Sequence, residues 1–209
     1  MSLTSVEIKQ KELGTVVFEN VLKLLKRRNY IENIDNIKKQ FTSDDSDSLD
    51  INLNTQLKIK SDINKLEYLI FISSSKINSI SQNSPIDEFL KNNVGNKKIL
   101  VTTETTKKVF KQVYESYPNS EVFSQDEFLE DIPSKLIIPE HRLLNEDEKL
   151  ELLKHFEMKH FKRINEFDMM SRYYGAKPND VFRIDRANIT SGKGIDYRVV
   201  VPGKIDFMY

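Results

Sequence analysis

Three histidines, His141, His155 and His160, are the first residues to test for chemistry in this chain. His155 and His160 stand five apart, so a helix would turn them to different faces. No nearby Asp or Glu completes a metal set around them. They read as solvent-facing or capping side chains. The chain has no cysteine, which removes disulfides, thiolate zinc sites and thiol catalysis. A restriction-type nuclease needs an Asp followed by Glu-x-Lys on adjacent strands, so that carboxylates share a divalent metal beside the lysine. Asp147-Glu148-Lys149 has the residue types but opens a predicted helix. Glu104 and Lys107 have the wrong spacing and open another. "SGKG", Ser191 to Gly194, lacks the order of a phosphate loop and lies between two predicted strands, where a hairpin turn explains its glycines. No Ser-His-Asp arrangement is suggested. The expectation is no catalytic residue, no metal site and no cofactor.

The remaining candidate is "SRYYGAKPNDVFRIDR", Ser171 to Arg186. Arg and Tyr dominate protein interfaces. The same residues also suit a helix-turn-strand corner with one tyrosine buried and one at a rim. Gly175 is placed as the residue after a helix C-terminus, where a left-handed backbone is cheap. Pro178-Asn179-Asp180 turns into a strand.

Elements that would position these residues follow from periodicity. Val6 to Arg28 reads as a helix, with Leu13, Val17, Val21 and Leu24 at helical spacing, Val16 and Leu25 widening the stripe, and Asn29-Tyr30 as its stop. A short helix is expected from Glu32 to Phe41, and a solvated acidic loop from Thr42 to Asp50. Leu66 to Ser73 reads as a buried strand, with Ile51 to Ile59 able to pair beside it. Lys98 to Thr102 is another strand. Thr105 to Tyr117 is a helix with Val109, Phe110 and Val113 on one face. After Pro133 the reading is an apolar strand at Leu136 to Ile138. A helix capped by Asn145 and Glu148 follows, burying Leu150, Leu153 and Phe156. Strands at Val181 to Ile184 and Tyr197 to Val201 close the chain around the glycine turn "ITSGKG". The class is α/β (α+β), in two domains: 1–132, a small sheet flanked by helices, and 133–209, a small mixed α/β domain.

Composition limits the partners. Lys+Arg and Asp+Glu are both 32, whereas a freestanding nucleic-acid binder is usually basic. Any DNA contact should be local or shared with a partner. No apolar run reaches the length of a membrane span, and the N-terminus lacks a signal-peptide core. The abundance of Asn, Lys, Ile and Ser suggests an AT-biased genome.

Leu136 to Val201 resembles the C-terminal domain of the fifth subunit shared by eukaryotic nuclear RNA polymerases, and the short archaeal counterpart of that domain. The matching stretches are "IIPEHRLLNEDEKLELLKHF", Arg163-Ile164, "SRYYGAKPNDVFRIDR", Thr190 to Gly192 and Tyr197 to Val200, in family order. Upstream, "FENVLKLLKRRNY" resembles the family's first helix, with Asn29 in place of a glycine. "YLIFIS", "KILVTTETTKKVFKQV" and "VFSQDEFL" fall where the family's jaw domain has strands and helices. The chain departs from the family at Phe161-Lys162, Met169 and Ala187-Asn188-Ile189, where prolines and a Ser-Glu pair are usual. Its tail, Pro202 to Tyr209, runs past the usual end, and Ile205, Phe207 and Met208 could dock on a neighbour. Such divergence suits a virus-encoded or protist polymerase.

The resemblance implies a non-catalytic subunit of a multisubunit DNA-directed RNA polymerase. Its C-terminal domain would dock on the largest subunit, and its N-terminal domain would form part of the lower jaw near downstream duplex DNA. Arg172, Tyr173, Tyr174, Gly175, Arg186, Gly192, Tyr197 and Arg198 are the expected subunit interface. Lys23, Lys26, Arg27 and Arg28 are the expected DNA-proximal patch. The location implied is the nucleus or, for a virus, the cytoplasmic factory or virion. Two rival readings are a degenerate or active nuclease on the N-terminal unit and a freestanding DNA-binding adaptor.

Overall fold

The computed structural model describes residues 10–42, 49, 51, 53–64, 66–188 and 192–205. They divide into two units, one ending at Glu130 and the other beginning at Asp131. Most of the expected acidic loop, the tip of the glycine turn, Phe207 and Met208 lie outside the described residues.

In the first unit, α1 (Gln10–Arg27) buries Val17, Phe18, Val21, Leu22, Leu24 and Leu25. The apolar face is wider than a single stripe, so the helix is embedded rather than laid on a surface. Asn29 ends it at φ 55, the left-handed position that Asn tolerates better than most residues. Tyr30 N–H returns to the Leu25 carbonyl at 2.9 Å. Next come α2 (Ile34–Lys38), capped by the Asn33 side chain, and a 3-10 turn at Lys39–Phe41.

Four strands follow, in spatial order β1 (Gln56–Lys60), β2 (Glu67–Ile72), β3 (Lys97–Thr102), β4 (Ser120–Ser124). β1 and β2 are antiparallel, and the rest are parallel. Parallel neighbours need crossover helices, and these are α3 (Pro85–Asn92) and α4 (Lys107–Ser116). β2 and β3 carry near-continuous buried runs, as expected of parallel strands. The first strand is shorter than Ile51 to Ile59, because Asn54 at φ 61 makes a turn there. The sequence reading did not find α3, although Ser84 before Pro85 is a sound helix start: the Ser84 hydroxyl accepts from Asp87 N–H at 3.2 Å.

In the second unit the sheet order is β5 (Glu140–Leu143), β7 (Val181–Asn188), β8 (Gly192–Val201), β6 (Lys162–Asn165). β5–β7 and β7–β8 are antiparallel, and β6–β8 is parallel. Its core is Ile164, Met170, Phe182, Ile184 and Val200, with Ile138, Leu143 and Tyr174 against it.

Two expectations fail in this unit. Leu136 to Ile138 is not a strand. Leu136 and Ile137 sit in a turn, fully or almost fully exposed. Ile138 N–H is taken by the Lys135 carbonyl at 2.9 Å, and Pro139 has no N–H to offer a ladder, so pairing starts at Glu140. α5 (Glu146–Leu153) forms with the expected Asn145–Glu148 capping box but buries no residue. Leu150 and Phe156 are more than half exposed, and Leu153 is half-buried. The core closes through α6 (Met169–Tyr174) instead, which leaves the α5 stripe uncovered within this unit.

Candidate interaction surface of the C-terminal unit

α6 carries the Arg-Tyr-Tyr-Gly motif. The Asp168 carboxylate accepts from Met170 N–H at 2.9 Å and starts the helix. Gly175 at φ 64, ψ 30 stops it, and Ala176 N–H bonds the Ser171 carbonyl at 2.8 Å. Tyr173 is buried, and its hydroxyl lies 3.4 Å from Asp131 Oδ1. Tyr174 is half-buried and meets Phe182 edge-on at 5.7 Å. Arg172 is half-exposed. The motif thus makes the corner with one tyrosine inside and one at the rim, and Tyr173 braces the unit from within.

Side chains alternate across a strand, so the β7–β8 register sorts the other expected interface residues. Phe182 faces Arg198, Ile184 faces Asp196 and Arg186 faces Gly194 on one side of the sheet. Arg183 and Tyr197 share the other side, where Tyr197 lies 5.9 Å from Phe161. Arg186 and Arg198 are therefore brought together with the face that α6 covers, and Tyr197 is not. Gly192, at φ 76, opens β8 opposite Asn188.

One carboxylate organises the cations on that face. Asp196 Oδ2 lies 3.2 Å from Lys162 Nζ, 3.8 Å from Arg186 Nη2 and 3.8 Å from Arg198 Nε. Arg198 Nε is buried and has no hydrogen-bond partner. Lys162 and Asp196 were not singled out in the sequence. Their signal was the period-two alternation of β8, which puts Asp196 on the same face as Arg198 and beside Lys162 of β6. Nearby, His141 Nδ1 is 2.7 Å from the Pro139 carbonyl, and the ring stands edge-on to Phe182 at 5.9 Å. Burial pushes its pKa down, the contact with the Pro139 carbonyl opposes this, and the charges of Arg198 and Arg186 add to the lowering. His155 and His160 are exposed.

The nuclease-like residues are occupied elsewhere. Glu148 accepts from Arg142 at 2.6 Å and from Asn145 N–H at 3.1 Å, and the Arg142 bond chiefly lowers its pKa. Glu104 pairs with Lys76 at 2.7 Å. Among the described residues no group of three His, Cys, Asp or Glu could hold a metal, and no helix is long and apolar enough to cross a membrane.

In the first unit, the expected DNA-proximal patch needs one correction. The Arg28 side chain is 3% exposed, and its guanidinium donates to both oxygens of Glu121 at 2.8 and 2.7 Å. The Glu121 carboxylate that β4 brings beneath the end of α1 holds this side chain, so it is less available to a partner than its neighbours. Lys26 is exposed, Arg27 is half-exposed, and Lys23 donates to Asn20 Oδ1 at 2.9 Å.

Residues 131–200 match the family model described as RNA polymerase Rpb5, C-terminal domain. The chain is 32% identical over 189 residues to DNA-directed RNA polymerase subunit 5 of Acanthamoeba polyphaga mimivirus, covering 89% of this chain and 91% of that protein. It is 29% identical over 190 residues to the subunit rpabc1 of DNA-directed RNA polymerases I, II and III of Dictyostelium discoideum, covering 88% of this chain and 94% of that one. Against subunit Rpo5 of the archaeon Thermococcus onnurineus the identity is 41% over 73 residues, 34% of this chain and 89% of that shorter protein. With an α+β fold and a similarity that runs through both units, the chain belongs to the family of the fifth subunit of eukaryotic-type DNA-directed RNA polymerases.

Proposed function

We propose that this chain serves as a non-catalytic structural subunit of a multisubunit DNA-directed RNA polymerase. Its C-terminal unit docks on the largest subunit, and its N-terminal unit lies in the lower jaw beside downstream duplex DNA. The observation that carries this reading is the extent of the similarity to polymerase subunits of a virus and an amoeba. A match of 189 residues is longer than either unit alone, so it includes both. Two features of the molecule are in keeping with it. The chain has equal numbers of acidic and basic residues, which suits DNA contact made within a larger assembly rather than alone. The second unit also leaves large apolar side chains, Leu136, Ile137, Leu150 and Phe156, open to a neighbour. The location follows the enzyme: the nucleus, or a viral factory or virion for a virus-encoded copy.

Purification of the tagged full chain from its own cells tests this. The expected result is stoichiometric recovery of the largest polymerase subunit. Recovery of the chain free of RNA-synthesising machinery overturns the proposal. Magnesium-dependent DNA cleavage by the isolated chain would move it to the nucleases. Tight, salt-sensitive duplex binding by the isolated chain would make it a freestanding adaptor.

A further inference from the structure

We propose that the point where Lys162, Arg186 and Arg198 converge on Asp196 is a seat for one carboxylate from an acidic segment of a neighbouring polymerase subunit. The proposal rests on the reading that this chain works inside a polymerase.

The charges there are unbalanced. Three cations lie within 4 Å of a single carboxylate oxygen, and only Lys162, at 3.2 Å, is at hydrogen-bond distance. Backbone register forces the crowding. Lys162 and Arg198 are direct partners on adjacent strands, and like charges in that position oppose strand pairing. Asp196 stands between them and offsets part of the repulsion. Each guanidinium has five donors and each ammonium three, far more than one aspartate can accept. A second carboxylate entering from the solvent side would take the outward donors and neutralise the surplus. Lys162 and Arg186 are 67% and 45% exposed, so both can be reached. Arg198, at 29%, forms the floor.

The geometry favours a protein carboxylate over a nucleic acid. Duplex binding needs cations spread along the backbone to meet successive phosphates, whereas these three meet at one point. A fixed carboxylate at the centre repels any dense run of negative charge. The planar fork of Arg186 suits a single carboxylate.

The test uses the tagged full chain, retained on polymerase from its own cells and washed with rising salt. R186E should weaken retention of the largest subunit by about tenfold, the order of one charge-assisted pair. D196N frees the three cations and should carry retention to higher salt than wild type. K162A, at the most exposed of the three, should act like R186E in a smaller degree and keeps the test valid if R186E fails to fold. Wild-type retention by both R186E and K162A, with D196N either unchanged or unfolded, makes the cluster an internal ion-pair hub and overturns the proposal. So does a D196N chain that gains affinity for a free 30-base-pair duplex without gaining retention on polymerase. If wild type itself recovers no polymerase, the polymerase reading has failed and takes this proposal with it. If wild type recovers polymerase and the variants behave like it, only the carboxylate seat has failed.

Discussion

Replacing Glu121 by Ala takes the carboxylate away from the buried guanidinium of Arg28. Two hydrogen bonds, at 2.8 and 2.7 Å, join the pair, and the Arg28 side chain is 3% exposed. Removing one partner of a fully buried ion pair costs about 3–5 kcal/mol. Glu121 is itself 37% exposed, so water reaches one side of the pair and screens it. The expected loss is then about 2 kcal/mol. For a unit of this size each kcal/mol lowers the midpoint by about 4 °C, which gives about 8 °C. R28M removes the charge together with its partner's need for it, and should cost about half as much. The double variant R28M/E121A should match R28M alone, since the carboxylate matters only through the arginine. Thermal unfolding of the full chain followed by circular dichroism, reading the transition of the first unit, measures all three. An E121A midpoint within about 1 °C of wild type, or strict additivity in the double variant, refutes the reasoning. Either result returns Arg28 to the surface with Lys23, Lys26 and Arg27.

Asp87 is buried at the start of α3 and accepts from Tyr117 at 2.6 Å, Lys91 at 2.8 Å and Asn83 N–H at 2.9 Å. The bonds from Lys91, Tyr117 and Asn83 hold its pKa down at about 2, while burial and then the Asp87 bond push Tyr117 up to about 12. The folded state favours ionised Asp87. Its contribution is complete above the ordinary aspartate range and is lost as pH falls through about 2. The folded state also favours protonated Tyr117, so that contribution is complete below about 10 and is lost as pH rises through about 12. Urea midpoints against pH should lose part of their acid slope in D87N and part of their alkaline slope in Y117F. Gly175→Ala places a Cβ at φ 64 and should cost about 1 kcal/mol, read as a lower urea midpoint, with Gly175→Asn costing less. Leu150→Lys should change the unfolding free energy by less than about 0.5 kcal/mol, because that side chain is 59% exposed. A larger loss would show that α5 packs on the core.

How much could be read in advance depended on how far apart the interacting residues lie in the chain. The Asn29 stop, the Asn145–Glu148 box and the Gly175 cap each rest on contacts within a few residues, and so residue type alone exposes them. The continuous apolar runs of β2 and β3 and the helical spacing of α1 and α4 are local in the same sense. The Arg-Tyr-Tyr-Gly and Tyr-Arg-Val-Val stretches, in their order, led to the family. Period and capping do not reveal what an apolar stripe will face. α5 has the pattern of a packed helix and lies open, because α6 occupies the core. The apolar run before Pro139 became a turn, since the strand could only begin past a residue with no N–H.

The sequence alone determined the caps, the stops, most of the element types and the family, because these depend on neighbours along the chain. The folded structure decided which charges meet. Arg28 finds Glu121 across 93 residues, Tyr117 finds Asp87 across 30 and Lys162 finds Asp196 across 34. The same structure paired Arg28 of the expected DNA-proximal patch with Glu121 and gathered three cations at one carboxylate. Ion pairs are set by sheet order and register, and no single segment of the chain contains either.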